Sequence, residues 1–576
     1  MSRQFLATPQ PLMQGLGTGL LLLLSACNAT QPEPPRAELA DQPARTVAQE
    51  TAAQPGAKKL ERSSYAPPST QLGALPMAPV ADIQAPGYRA TYREQYQKLA
   101  SNPVQAVAEA PVSTFSIDVD TGGYANVRRF LSQGQLPPAE AVRLEELVNY
   151  FPYAYPLPQG EAPFGVATEL AVTPWNSQSR LLRIAIKAAD MAVEALPPAN
   201  LVFLVDVSGS MDRREGLPLV QSTLKLLVDQ LRAEDRVALV VYAGTSRVVL
   251  PSTAGNQKAR IRAAIEQLRA GGSTAGESGI QLAYQQAQQG FIAGGINRIL
   301  LATDGDFNVG ISDFDTLKAL AADKRKTGIS LTTLGFGTGN YNERLMEQLA
   351  DAGDGNYAYI DNLREARKVL VDQLSSTLSV VAKDVKIQLE FNPAQVSEYR
   401  LLGYENRALR REDFANDKVD AGEIGAGHSV TALYEIVPVG RKGWLEPLRY
   451  GAVEAAADQP AGKAGELALL RIRYKAPQQR ASRLLEVPIR APRQVADIAQ
   501  ASEDLRFAAA VAAFAQQLKG GQYTGDFGLA ASADLARSGK GEDRFGLRGE
   551  FIQLVELAQS LQTPASLSPP TAVKVD

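Results

Sequence analysis

The sequence predicts an α/β protein built on a doubly wound, mostly parallel sheet. A β-rich, sandwich-like domain flanks that sheet or receives it as an insertion, with helices at the C-terminus and a disordered tether at the N-terminus. Three observations carry this expectation. Residues 201–205 are a continuous apolar run, as in a parallel strand buried on both faces. From residue 197 to 378 strand-like and helix-like stretches alternate. From 379 to 490 apolar and polar residues alternate between turns, the pattern of antiparallel strands with one buried face.

The totals narrow the function. At 576 residues the chain is too long for one hydrophobic core. Its 59 basic and 62 acidic residues give a formal charge of −3, and no basic run is interleaved with aromatics, so nucleic acid is not an expected partner. There is one His, His428, and one Cys, Cys27. A His–Cys zinc site within the chain is excluded, and His-dependent nucleophilic catalysis would have to use His428. That residue lies in Gly425-Ala426-Gly427-His428-Ser429 and reads as a solvated loop residue. No disulfide can form within one chain.

The first 26 residues read as a secretory signal: Arg3, then a short apolar stretch from Leu16 to Leu24, then Ser25, Ala26 and Cys27. The stretch is short for a membrane span. Leu24-Ser25-Ala26-Cys27 resembles the lipobox of bacterial lipoproteins. The resemblance implies cleavage before Cys27 and acylation of its thiol and new amine, a palmitate-type lipidation that anchors the chain to a membrane. Asn28 after the cysteine implies, by the enterobacterial sorting rule, the outer membrane facing the periplasm. Residues 27–100 are rich in Pro, Ala, Gln and Glu and read as a disordered tether, with a nascent helix at 90–100. Its coil reach is of order 45 Å.

Residues 101–196 form an N-terminal module, with a strand at 112–120, helices at 124–131 and 139–151, and strands near 165–173 and 181–187. Asp118-Val119-Asp120-Thr121 resembles the first motif of haloacid-dehalogenase-type phosphatases, which implies a Mg2+-dependent enzyme with Asp118 as nucleophile and Asp120 as general acid. Thr303-Asp304-Gly305-Asp306 could imitate the late acidic pair such an enzyme needs. However, the run before Asp118 is short and alternating, unlike a buried central strand. Carboxylates capping the helix after Gly122 explain the motif as well.

Within 197–378, strands are expected at 201–206, 236–242, 247–250, 298–303, 330–335 and 357–360, and helices at 217–231, 257–268, 277–289, 314–326, 343–350 and 363–378. The strand at 201–206 ends in Asp206-Val207-Ser208-Gly209-Ser210, which sets a carboxylate and two hydroxyls at alternate positions. Ligands in open α/β sheets sit outside the carboxyl ends of strands, so these oxygens suggest a hard-cation site of magnesium type that captures a partner's carboxylate. Thr274, in Gly271-Gly272-Ser273-Thr274, and Asp304 leave two further strand or loop ends with oxygen-bearing side chains. Helix capping by Asp206 and the serines is the plainer reading of that one motif. The loop 335–340 lacks a phosphate-binding pattern and no Walker motif occurs, so no nucleotide is expected.

These three segments together resemble a Rossmann-like von Willebrand factor A domain with a complete metal-ion-dependent adhesion site. The resemblance implies direct coordination by Ser208, Ser210 and Thr274, water-mediated contacts from Asp206 and Asp304, and a remaining position for an Asp or Glu of a protein ligand. Mg2+ fits such a set, with Mn2+ or Ca2+ as substitutes. No general base stands beside the site, and an enzyme is not expected there.

The β-rich region is expected to hold strands at 380–391, 398–403, 428–437, 467–474 and 484–489, completed by the strands near 165–187 if the α/β domain is inserted between them. Residues 491–576 read as helical, with an Ala-rich buried helix at 505–518 and an amphipathic one at 551–561. From about residue 102 to 561 the chain resembles a family of bacterial lipoproteins with an N-terminal module, a central von Willebrand A domain and a C-terminal domain of unknown function. That family is not known for enzymes. The resemblance implies a cell-envelope binding protein, with a phosphatase-like enzyme or a structural envelope protein with a stabilising metal as alternatives.

Overall fold

The computed structural model describes residues 94–272, 276–305, 314–446, 448, 463, 465–490 and 497–562. Residues 1–93, with Cys27 and the tether up to residue 93, and Thr274 lie outside the described residues.

The strand Ala199–Asp206 sits inside a six-stranded sheet. It pairs in parallel with Arg236–Tyr242 on one side and Ile296–Thr303 on the other. Ser330–Gly335 and Tyr357–Tyr359 extend the sheet in parallel, and Ser246–Ala254 closes the opposite edge as its antiparallel strand. The apolar run explains this central place. Leu201, Phe203 and Val205 pack into one core with Leu217, Val220 and Leu224 of the helix Leu217–Gln230. Val202 and Leu204 point the other way, into a core with Ile280, Ala283 and Tyr284 of the helix Gly276–Gln289. Successive side chains of a strand alternate faces, so a strand covered on both sides has no position for a polar residue until it ends.

The α/β domain is inserted into a two-sheet sandwich. Asn176–Ala188, before the domain, pairs antiparallel with Ser429–Pro438, after it. Val112–Ser116 likewise pairs with Val380–Phe391. One sheet runs Gln105–Ala106, Val396–Leu402, Ser429–Pro438, Asn176–Ala188 and Phe164–Thr173. The other contains Ile424–Gly425, Val380–Phe391, Glu466–Lys475 and Arg483–Arg490. Their facing side chains share one core, including Phe115, Ile184, Ile387, Tyr434 and Leu470.

A helical layer completes the body. In Glu503–Leu518 every residue from Ala508 to Ala513 is fully buried. The helices Leu529–Ser538 and Leu547–Gln562 pack with it around Phe507, Phe514 and Phe551. Arg128 ties three regions together. It pairs with Asp361 at 2.5 Å and Glu365 at 2.8 Å beyond the central sheet, and with Glu550 at 3.3 Å in the last helix.

Several local expectations are corrected. Residues 94–100 are extended, not helical: Gln95 bridges to Asn342, and Glu94 pairs with Arg129 at 2.8 Å. The helix expected at 139–151 is a 3-10 turn, Ala139–Ala141, then a separate helix, Leu144–Asn149. The break falls at Val142 and Arg143, which are extended, and Arg143 turns inward to Glu347 at 3.5 Å. The helix expected at 363–378 is interrupted by a π-turn at Lys368–Asp372. Within the region read as helical, a further helix, Leu529–Ser538, lies between the two expected ones.

Candidate functional site

Asp206 is the last residue of its strand and is fully buried. Its Oδ1 accepts a hydrogen bond from the Ser208 amide at 2.8 Å. Its Oδ2 accepts from Thr303 Oγ1 at 2.8 Å and from the Tyr242 hydroxyl at 3.3 Å. Thr303 and Tyr242 end the two flanking strands, so the parallel register converges three strand ends on one carboxylate. Burial pushes the Asp206 carboxyl up to about 6, against hydrogen bonds that favour its charged form.

Ser208 Oγ and Ser210 Oγ lie 3.0 Å apart. Ser208 precedes the 3-10 turn Gly209–Met211 without a side-chain capping bond, and Gly216, not a serine, precedes the helix Leu217–Gln230. Capping therefore does not account for the hydroxyls. Asp304 follows the strand Ile296–Thr303, is 1% exposed, and accepts from Asn340 Nδ2 at 3.2 Å.

Backbone bonds hold the surrounding loops. The Gly209 amide donates to Gly272 O at 3.1 Å, and the Gly271 amide donates to Val207 O at 2.8 Å. Gly272 has φ 93°, a conformation that favours glycine. The loop that leads to Thr274 is thus fastened to the serine loop. Arg213 donates through Nε to Ser210 O at 2.8 Å and through a guanidinium nitrogen to Thr338 O, linking the serine loop to 337–340.

The donor set suits a small hard cation. Two ligands at right angles around an ion at about 2.1 Å stand about 3 Å apart, which is the Ser208–Ser210 spacing. Oriented carboxylates behind hydroxyls also match the outer-shell support that metal sites need. Asn340, Tyr242 and Thr303 in these supporting roles were not identified from sequence. Asn340 sat in a loop that read as a plain βα turn, and Tyr242 carried no signal beyond its place at a strand end.

The other candidates lie elsewhere. Asp118 and Asp120 are 4% and 5% exposed, and Arg407 spans them at 3.3 and 3.2 Å. Asp120 also accepts from the Tyr357 amide at 2.8 Å, and the helix Gly122–Ser132 has no side-chain cap, so these carboxylates do not cap it. His428 is not a freely solvated loop residue. It lines a cavity of about 490 Å³ with its Nδ1 enclosed, and burial lowers its imidazole to about 4.

Comparison with known proteins agrees with this architecture. Residues 200–373 match the von Willebrand factor type A domain, and residues 90–183 match a model described as von Willebrand factor. Residues 376–561 match the C-terminal region of the uncharacterized protein YfbK. The Escherichia coli K12 protein YfbK is 52% identical over 478 residues, which cover 81% of this chain and 81% of that protein. An uncharacterized Synechocystis protein is 32% identical over 220 residues, covering 38% of this chain and 50% of the other. A solved von Willebrand factor type A structure from Catenulispora acidiphila covers 69% of this chain and 91% of its own at 17% identity, with a TM-score of 0.39. With a type A domain at its centre, a YfbK-type C-terminal region behind it, and over half of the aligned residues shared with the E. coli protein, the chain belongs to the YfbK family of von Willebrand factor type A domain proteins.

Proposed function

We propose that the protein is a membrane-anchored binding module, of adhesion or assembly type, that captures an acidic protein ligand through a Mg2+-type ion. The observation that carries this reading is the 3.0 Å pair of Ser208 and Ser210 hydroxyls at the carboxyl end of the central strand, with Asp304 at the end of the neighbouring strand, just after Thr303. Ser208, Ser210 and Thr274 would hold Mg2+, or Mn2+ or Ca2+, directly, with Asp206 and Asp304 behind them through water. The ion supplies a positive centre for an Asp or Glu carboxylate of the ligand. The chain's own work is preorganisation: Thr303 and Tyr242 fix Asp206, Asn340 fixes Asp304, and Arg213 holds the serine loop.

In this reading Cys27 carries the lipid and residues 28–100 the tether, placing the head in the cell envelope, at the outer membrane facing the periplasm. Among the described residues no helix is long and apolar enough to cross a membrane. The phosphatase alternative is disfavoured by the setting of Asp118, which is buried beneath Arg407 without an open face for a substrate.

A pull-down from envelope extract, with Mg2+ and with EDTA, tests the proposal. Capture is expected in Mg2+, and loss is expected in EDTA and in the Asp206→Ala, Ser208→Ala double variant. An unchanged partner set in the folded double variant would show that capture does not use this site.

A further inference from the structure

We propose a second cation site, of Ca2+ type, formed by Asp118, Glu145 and Glu146 inside the body of the protein. Asp118 follows the strand Val112–Ser116, and the two glutamates open the helix Leu144–Asn149. One oxygen from each residue lies within 4.8 Å of the others. Two oxygens on opposite sides of Ca2+ stand about 4.8 Å apart, twice a Ca–O distance of about 2.4 Å, so one ion can reach all three.

A separate observation points to a ligand. Asp118, Glu145 and Glu146 are 4%, 1% and 1% exposed. Asp118 Oδ2, both Glu145 carboxylate oxygens and Glu146 Oε1 are enclosed and have no hydrogen-bond partner among the described residues. The remaining oxygens are anchored. Asp118 Oδ1 accepts from the Asp120 amide at 3.1 Å and from Arg407 at 3.3 Å, and Glu146 Oε2 accepts from the Gly123 amide at 2.6 Å. Two of the three carboxylates are thus held by one oxygen and present the other. Gly403, at φ 81°, leaves room for the third: a Cβ there would stand 2.6 Å from Glu145 Oε2.

Two guanidinium groups, Arg143 and Arg407, are shared among more carboxylates than they can neutralise. Arg143 faces Glu347 at 3.5 Å and Glu343 at 3.9 Å. Arg407 is shared among Asp118, Asp120, Glu347 and Asp351. Bare carboxylates in a dry interior cost several kcal/mol each unless a counter-charge meets them. Three carboxylates converging on one point are what a divalent cation with flexible oxygen coordination requires. Such an ion would fasten the Leu144–Asn149 helix to the strand leading into Asp118, coupling metal binding to folding.

The test is Ca2+ binding to the full chain in detergent, by equilibrium dialysis, with thermal unfolding in Ca2+ and in EDTA. A chain carrying Ser208→Ala and Asp304→Ala removes the strand-end site and is expected to retain one Ca2+ per chain and a higher melting temperature in Ca2+ than in EDTA. Adding Glu145→Gln and Glu146→Gln is expected to remove both. The proposal is overturned if the Ser208→Ala, Asp304→Ala chain binds no Ca2+, as when the carboxylates merely share protons, or if the added glutamines leave binding intact. Should the glutamine variant not fold, the first chain still decides the question by its stoichiometry.

Discussion

The strand-end site and the buried acidic cluster treat carboxylates in opposite ways. Both Asp206 oxygens are occupied by internal donors, and the groups this site offers outward are the neutral hydroxyls of Ser208 and Ser210. Glu145, by contrast, leaves both oxygens without a donor in a place water does not reach. A cation held mainly by hydroxyls keeps most of its charge and attracts an external carboxylate. One held by three carboxylates is neutralised on the spot and has nothing left to recruit. On the two proposals, the same ion chemistry would give a docking point at the strand ends and an internal fastener between Asp118 and the Leu144–Asn149 helix.

The comparison can be broken at either end. The largest effect is expected from Asp304→Ala, which removes the carboxylate that Asn340 orients. Mg2+-dependent capture should fall by about 100-fold, the upper end of the usual outer-shell effect, with little change in melting temperature. If capture persists, the docking point lies elsewhere. On the interior side, Arg407→Met leaves Asp118, Asp120, Glu347 and Asp351 without their shared guanidinium. Denaturant unfolding should show a loss of about 3–5 kcal/mol, the usual cost of stranding buried charge. A loss below about 1 kcal/mol would mean these carboxylates are already neutral.

His428 sharpens the contrast through pH. Burial holds its folded-state value near 4, below the ordinary 6.5. The unfolded chain therefore binds the proton first as pH falls. The stability from neutral His428 is complete above about pH 6.5 and is lost progressively towards pH 4. Partial exposure reduces the amount to about 2 kcal/mol. Relative to wild type, His428→Gln should flatten stability between pH 4 and 6.5, and parallel curves for the two proteins would refute this role. The smallest effect is expected from Tyr242→Phe. It removes one donor at 3.3 Å from Asp206 and keeps Thr303. Calorimetry should show Mg2+ affinity weakened by up to about tenfold.

How much of this was legible in the sequence follows the same divide. The run 201–205 announced a strand covered on both faces, and Asp206, Ser208 and Ser210 marked its end as polar for a reason. The insertion also left traces in the alternation of 380–391 and 428–437, but partners were needed to show that Ser429–Pro438 pairs across the whole α/β domain with Asn176–Ala188. The supporting groups left no pattern. Tyr242 and Thr303 reach the site from separate strands and Asn340 from a loop, and tertiary register alone brings them together. Glu145 and Glu146 were the least legible. In a helix whose pattern shows only apolar Leu144, Leu147 and Val148, nothing marks them as buried, yet the structure covers them. Local periodicity identifies one buried side of a helix and says nothing about a second.

The most direct test of the central claim is capture by the full chain across a Mg2+ titration, set beside calorimetric Mg2+ binding to the same protein and to Asp304→Ala. The expected result is that capture rises with the occupancy calorimetry reports and that Asp304→Ala loses both together. Capture that is insensitive to EDTA, or that survives in Asp304→Ala without Mg2+ binding, would contradict it.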